Sequence, residues 1–193
     1  MLIRNEIDVA QPVARVWQFF GNVPQVAAAL PGAELTDDLG GDKYRGRVAV
    51  RMGPVRLNFA GTAQITERDE AAKRMVVDAS GAEERGRGQA SMVLTATLAR
   101  SGTGTKITVL QDLQLAGAAA QYGRGMISDV SSVLMRDFAA NLADRIARAE
   151  RGEELAATPA TPAQGFTVGL RAALMALTRV FRRFFAPYRP LAS

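Results

Sequence analysis

The chain of 193 residues contains no histidine and no cysteine. Zinc sites of the His/Cys kind, Ser-His-Asp and Cys-His nucleophiles, thiol redox chemistry and disulfides are therefore excluded. A metal site would need oxygen ligands, and no D-x-D-x-D-G loop is present; none is expected. The P-loop is also missing. Gly86-Arg87-Gly88 and Gly102-Thr103-Gly104 lack the strand-Gly-x-Gly-x-x-Gly-helix setting of a dinucleotide site. Carboxylate or tyrosine acid/base chemistry stays open, but no catalytic residue is indicated. No uncharged apolar run reaches the roughly 18 residues of a spanning helix. The N-terminal Met1-Leu2-Ile3-Arg4-Asn5-Glu6 carries charge where a signal peptide needs an apolar stretch. The absent cysteine is compatible with the cytoplasm.

Acidic residues are also missing from one region. All 19 Asp and Glu lie in the first 154 positions. The remaining 39 residues hold five of the 24 basic ones: Arg171, Arg179, Arg182, Arg183 and Arg189. The first 154 positions are thus formally neutral, and the tail alone supplies the net charge of +5. Nucleic-acid binding is not expected, because acids balance the basic strand face and interleaved exposed aromatics are lacking.

Leu2 to Val9 reads as a strand. Pro12 suits the first turn of a helix with Val13, Val16, Trp17 and Phe20 as its apolar stripe. Pro24 opens a second short helix to about Leu30, and Pro31-Gly32 breaks it. From Lys43 the period becomes two. Tyr44, Val48, Val50 and Met52 alternate with arginines up to a Gly53-Pro54 turn, and Val55, Leu57, Phe59, Ala63 and Ile65 follow as the partner strand. Met75–Ala79, Gln89–Ala99 and Lys106–Leu115 give three more strands. Met92, Leu94, Ala96 and Leu98 share one face with Ile107, Val109, Leu113 and Leu115, while Asp78 and Asp112 fall on the other. After Gly117, the stripe Ile127, Val130, Leu134, Phe138, Leu142 and Ile146 predicts a long helix ending near Arg151-Gly152. The order β-α-α-β-β-β-β-β-α predicts an α+β fold: a curved antiparallel sheet gripping a long C-terminal helix.

Three regions follow: a domain over 1–151, an Ala/Pro/Thr linker over 152–165, and a basic tail over 166–193. On a helical wheel Phe166, Leu170, Leu174, Leu177, Phe181, Phe184 and Phe185 gather within an arc of about 140°, and Arg171, Arg179, Arg182 and Arg183 lie opposite. Such a helix is expected to lie in an anionic membrane surface. Docking in a partner's groove or on its own domain are the alternatives.

Leu30-Pro31-Gly32-Ala33-Glu34, Tyr44-Arg45-Gly46-Arg47-Val48, Met52-Gly53-Pro54-Val55, Phe59-Ala60-Gly61-Thr62-Ala63, Gly86-Arg87-Gly88-Gln89-Ala90, Gly104-Thr105-Lys106 and Ala120-Gln121-Tyr122-Gly123 stand in an order and spacing that resembles the G-subunit family of carbon monoxide dehydrogenase, within the START-like (SRPBCC) helix-grip superfamily. The resemblance covers about residues 1–150, and the linker and basic tail also look like that family's C-terminal extension. Leu30 departs from it, since many relatives carry cysteine there. The resemblance implies a hydrophobic ligand cavity between sheet and long helix. It implies a non-catalytic accessory of a molybdenum-containing CO dehydrogenase or related oxidoreductase, and recruitment of that enzyme to the cytoplasmic face of the cell membrane.

Small residues on the strands (Gly46, Ala49, Ala60, Gly61, Ala63, Ala90, Ala96) and at Gly117–Gly125 either leave room for a guest or permit close packing. Candidate lining residues are Trp17, Phe20, Leu30, Tyr44, Val50, Leu57, Phe59, Met92, Leu94, Leu113, Tyr122, Met126 and Val130. Tyr44, Gln111 and Tyr122 are candidate polar handles. The expected guest is a hydrophobic small molecule, an isoprenoid quinone (menaquinone or ubiquinone) or another lipid, in an interior free of charge. A ligand-free recruitment scaffold is the second reading, and a cyclase- or hydrolase-like enzyme the third.

Overall fold

The computed structural model describes residues 1–153 and 155. The tail residues Phe166 to Phe185, and most of the 152–165 linker, lie outside the described residues. Seven antiparallel strands form one sheet in the order β1-β7-β6-β5-β4-β3-β2. They are β1 (Leu2–Val9), β2 (Ala33–Gly40), β3 (Lys43–Met52), β4 (Val55–Asp69), β5 (Arg74–Glu83), β6 (Gly88–Ser101) and β7 (Gly104–Gly117). Two short helices, α1 (Val13–Phe20) and α2 (Val23–Ala29), follow β1, and α3 (Arg124–Glu150) closes the domain. A single 3-10 turn, Ala118–Gln121, joins β7 to α3.

Local chemistry explains the boundaries. Pro12 is extended at the α1 N-cap. The Asn22 side chain accepts the Gln25 amide at 3.2 Å to start α2, with Pro24 inside the first turn. At the far end of α3, Gly152 adopts φ 72°, and the Glu153 amide returns to the Arg148 carbonyl at 3.1 Å. The helix is about 40 Å long at 1.5 Å per residue.

One strand was not expected from the sequence. Ala33–Gly40 pairs with β3 at the sheet edge, with register shifts at Leu35/Asp37 and Asp38/Gly40. An edge strand is half solvated, so Glu34, Asp37 and Asp38 sit there without an apolar alternation to betray it. Strands β5, β6 and β7 also run one to four residues beyond the expected bounds, as the polar and glycine ends still pair.

Glycine is structurally required near the middle of the sheet. A Cβ on Gly61 would stand 2.0 Å from the Ser80 carbonyl oxygen, and one on Gly81 would stand 2.9 Å from that of Ala60. The two glycines face each other across β4 and β5.

The core has two parts. One lies at the α1/α2 end and holds Val16, Phe19, Phe20, Ala29, Met75, Leu98, Ile107, Phe138, Leu142 and Ile146. Val16, Ile107 and Leu142 are fully buried, each worth about 1.5–3 kcal/mol. The other part lies at the opposite end, where the β3–β4 and β5–β6 turns meet the start of α3. Only Ile3, Met52, Leu57, Ala119 and Ile127 are buried there, amid a larger set of half-buried apolar groups.

Candidate ligand-binding interior

The antiparallel register sorts inward-facing side chains into rows across the sheet. Asn5, Val109, Ala96 and Met75 form one row, and all four are buried. The next holds Ile3, Gln111, Leu94, Val77 and Ile65. Then come Leu113, Met92, Ala79, Ala63 and Tyr44, followed by Leu115, Ala90, Gly81, Gly61 and Gly46. All ten residues of these last two rows are half-buried, none fully buried. Six of the ten are alanine or glycine, so the floor of the curve is low. Phe59, Val48 and Val50 continue it toward the β3–β4 turn, also half-buried.

Helix α3 forms the other wall. Its backbone comes closest to β1 and touches β3 as well. Ile127, Ser131, Phe138, Leu142 and Ile146 are buried along it, while Val130 and Leu134 are half-buried. Fully buried packing at the α1/α2 end thus gives way to looser, half-buried apolar side chains toward the start of α3.

A polar group sits at the junction of the two. Asn5 Nδ2 donates to Ser131 Oγ at 2.9 Å, and Gln111 Nε2 lies 3.1 Å from the same oxygen. The Ser132 hydroxyl donates to Asn5 Oδ1 at 3.0 Å. Every hydrogen bond of the Gln111 side chain among the described residues goes to this one hydroxyl, which sees Nε2 at 3.1 Å and Oε1 at 3.4 Å. That hydroxyl can accept from one of the amide's two N–H groups and donate to its oxygen, which leaves the second N–H without a partner among the described residues. Part of the Gln111 capacity is therefore free for a guest.

The expectation of a charge-free interior needs correction. Glu83 shares the inward face with Phe59 and is 3% exposed. Its carboxylate accepts the backbone amides of Arg85 and Arg87 at 2.9 and 3.2 Å and the Arg87 guanidinium at 3.2 Å. The Arg87 hydrogen bond is the main reason its pKa lies below the ordinary carboxyl value, with the two backbone amides adding to it. The carboxylate ties the β5–β6 turn shut. Its donors occupy it, so it is not presented to a guest.

The predicted lining residues fall into distinct places. Leu30, Phe59, Met92, Leu94, Leu113 and Val130 are half-buried on the walls, and Val50 and Tyr122 join the looser end. Leu57 is 2% exposed and belongs to the packed core. Phe20 meets Phe138 edge to face at 6.3 Å, within the dense part. Trp17 is buried there as well, but its indole N–H donates outward to Glu70, and Lys73 Nζ stands 5.2 Å above the ring. A surface groove of about 390 Å³ passes over it, between α1 and the β4–β5 turn. Glu70 there is held below its ordinary pKa first by Lys73 and then by the indole. Met126 is 44% exposed in the first turn of α3. Tyr44 is half-buried near the start of β3, its pKa raised by burial and by Asp38 and Asp42.

Asn5, Ser131 and Glu83 were missed as interior groups. The signal was present: Asn5 is in phase with Ile3 and Ile7, Ser131 lies on the Ile127–Phe138 stripe, and Glu83 continues the alternation Val77, Ala79, Gly81. Among the described residues there is no cluster of three or more acidic residues able to hold a metal ion. No described helix is long and apolar enough to cross a membrane.

Comparison with known proteins is consistent with this architecture. No curated protein matches the chain. A conserved protein of Geobacillus kaustophilus superposes with a TM-score of 0.69 at 18% identity, covering 77% of this chain and 97% of its own. An aromatase/cyclase of Streptomyces gives 0.56 at 14% identity, over 80% and 99%. A Thermus thermophilus protein gives 0.54 at 16% identity, over 77% and 99%. At such identities the likeness is one of fold, the helix-grip arrangement. The model of the CoxG family, the G-subunit family of carbon monoxide dehydrogenase, matches residues 6–147, and the chain belongs to that family.

Proposed function

We propose that the domain is a non-catalytic carrier of one elongated hydrophobic molecule, held between the sheet and α3. Family membership implies association with a CO dehydrogenase. The natural cargo for an accessory of such an oxidoreductase is the lipid-soluble electron acceptor of a membrane, an isoprenoid quinone. The carrying observation is the pair of half-buried inward rows over an alanine and glycine floor, Leu113–Tyr44 and Leu115–Gly46. An isoprenoid chain suits such a floor, because burial of apolar area rewards it without asking for polar partners. The spare amide capacity of Gln111 can donate to a ring carbonyl. The basic tail, Phe166 to Phe185 with its arginines, would hold the carrier on the cytoplasmic face of the membrane, peripheral to it.

Enzymatic turnover finds little support. Glu83 is the one buried titratable side chain among the described residues, and its oxygens are engaged by Arg85 and Arg87. A ligand-free scaffold that recruits the oxidoreductase is the second reading, favoured by the packed state of Leu57, Trp17 and Phe20. Native mass spectrometry and solvent extraction of the purified full-length protein separate the two. A stoichiometric quinone supports the carrier. Only phospholipid would remove quinone as the cargo, and an empty protein that takes up none from quinone-loaded vesicles would leave the scaffold.

A further inference from the structure

We infer that the end of the domain built from the β3–β4 turn, the β5–β6 turn and the start of α3 is a rim that inserts into an anionic lipid surface, independently of the tail. Several charges at this end are not explained by folding. Arg51 and Arg56 stand directly opposite each other on the outer face of the β3–β4 hairpin. Like charges in that position are destabilising. Arg51 has no partner among the described residues, and Arg56 has only Asn58 Oδ1 at 3.1 Å. Arg85, at the tip of the β5–β6 turn, and Arg124, at the first position of α3, are exposed and also lack a side-chain partner among the described residues.

Helix α3 repeats the pattern. Its N-terminus has no side-chain cap and no acid in its first turn, and begins with an arginine. Ordinary helices place acids there, because the dipole is positive at that end. Two local rules are thus broken in the same sense, and an external anion would offset both.

The pieces are contiguous. Arg87 Nη2 reaches the Arg56 carbonyl at 3.4 Å, the Glu84 amide donates to the Asn58 carbonyl at 2.8 Å, and the Ala118 amide donates to Arg87 O at 2.7 Å. Nearby acids are accounted for. Glu83 is held by Arg87, Glu84 by Arg47 at 3.3 Å, and Asp112 by the N-terminal ammonium at 3.4 Å, which leaves Asp129 against four arginines. At the other end Asp37, Asp42, Glu67 and Glu70 are paired with Arg45, Arg68, Arg74 and Lys73, so the charge there is largely matched within the fold.

Apolar groups stand among the arginines. Met126 is 44% exposed, Pro54 is exposed and Val55 half-buried. A polyanion backbone gains nothing from Met126 or Pro54, whereas a bilayer takes the apolar groups into its interface and the arginines onto its headgroups. The rim also borders the looser end of the interior, so docking there would face that space toward the lipid.

The absence of cysteine makes the test direct. Full-length protein carrying Met126→Cys, or Thr103→Cys in the opposite β6–β7 turn, is labelled with an environment-sensitive nitrobenzoxadiazole dye. Vesicles of phosphatidylcholine with phosphatidylglycerol should brighten the Met126 probe, and doxyl-labelled lipid should quench it. The Thr103 probe should respond to neither, and pure phosphatidylcholine should leave both in water. Replacing Arg51, Arg56, Arg85 and Arg124 together with glutamine should raise the lipid needed for the Met126 response by about tenfold or more, with circular dichroism unchanged. The tail stays intact throughout, so co-sedimentation reports its contribution separately. A Met126 probe that stays in water on vesicle-bound protein overturns the inference, as does a response indifferent to the four arginines. Insertion by protein that takes up no quinone from quinone-loaded vesicles would leave the rim standing and sink only the carrier reading.

Discussion

Ala79→Phe asks whether the half-buried rows enclose usable space. Ala79 faces inward between Ala63 on β4 and Met92 on β6. Its outward neighbours Asp78 and Ser80 are exposed, so a larger side chain at 79 grows only into the interior. If the interior is open, the ring lies on an apolar floor. A Phe carries roughly 150–250 Å² of surface. Covering about 80 Å² more than alanine at about 25 cal/mol per Å² stabilises the fold by about 2 kcal/mol. If the interior is already filled, the ring forces its neighbours off their rotamers and costs about 1–3 kcal/mol. The two cases differ in sign. Urea unfolding reads the difference, because 2 kcal/mol moves the midpoint by about 1 M at a slope near 2 kcal/mol per M. The expected outcome is a midpoint at or above the parent's together with loss of lipid or quinone from native mass spectra. A fall of the midpoint by about 0.5 M or more, at unchanged slope, refutes the open interior and the carrier reading that depends on it.

Ser131→Ala removes the hydroxyl shared by Asn5 and Gln111, and both amides are buried. The loss should be about 1–3 kcal/mol in urea unfolding, and less if Asn5→Leu accompanies it. Gly61→Ala sets a Cβ against the Ser80 carbonyl, a backbone atom that cannot swing aside; β4–β5 pairing should weaken, read as faster amide exchange along Thr62–Ile65 and Val77–Ala82. Glu83 supplies a pH dependence. Its pKa is lower folded than unfolded, so its contribution is complete above the unfolded value and declines as pH falls through the folded one. Glu83→Gln should flatten the acid side of the stability–pH curve and leave it little changed in shape above about pH 6.

The parts of the fold that were legible in the sequence are those where burial enforces a period. Ile107, Val109, Leu113 and Leu115 alternate because one face of β7 meets α3 and the other meets water. The Ile127–Ile146 stripe follows for the same reason. Strand β2 was illegible because an edge strand with Asp37 and Asp38 obeys pairing without obeying burial. The interior's size was illegible too. Ala63, Ala79, Gly61 and Gly81 read the same whether their partners crowd in or stand away, and only the opposite wall decides.

The polar residues of this domain separate by whether the fold already satisfies them. Glu83 looks at first like a misplaced interior charge, yet two amides and a guanidinium account for it within five residues of chain. Asn5 and Ser131 close most of their own circuit between β1 and α3. Gln111 does not, and neither do Arg51, Arg85 and Arg124. The unsatisfied groups are also grouped: one amide at the inner boundary of the loose space and a ring of guanidiniums at its outer rim. A protein whose only task was to stay folded would gain from replacing Arg51 or Arg124, since each opposes a neighbouring charge or dipole. Their placement makes sense when the missing partners are a carbonyl inside and headgroups outside, which is the pair of groups that an amphiphilic molecule leaving a bilayer would present in turn.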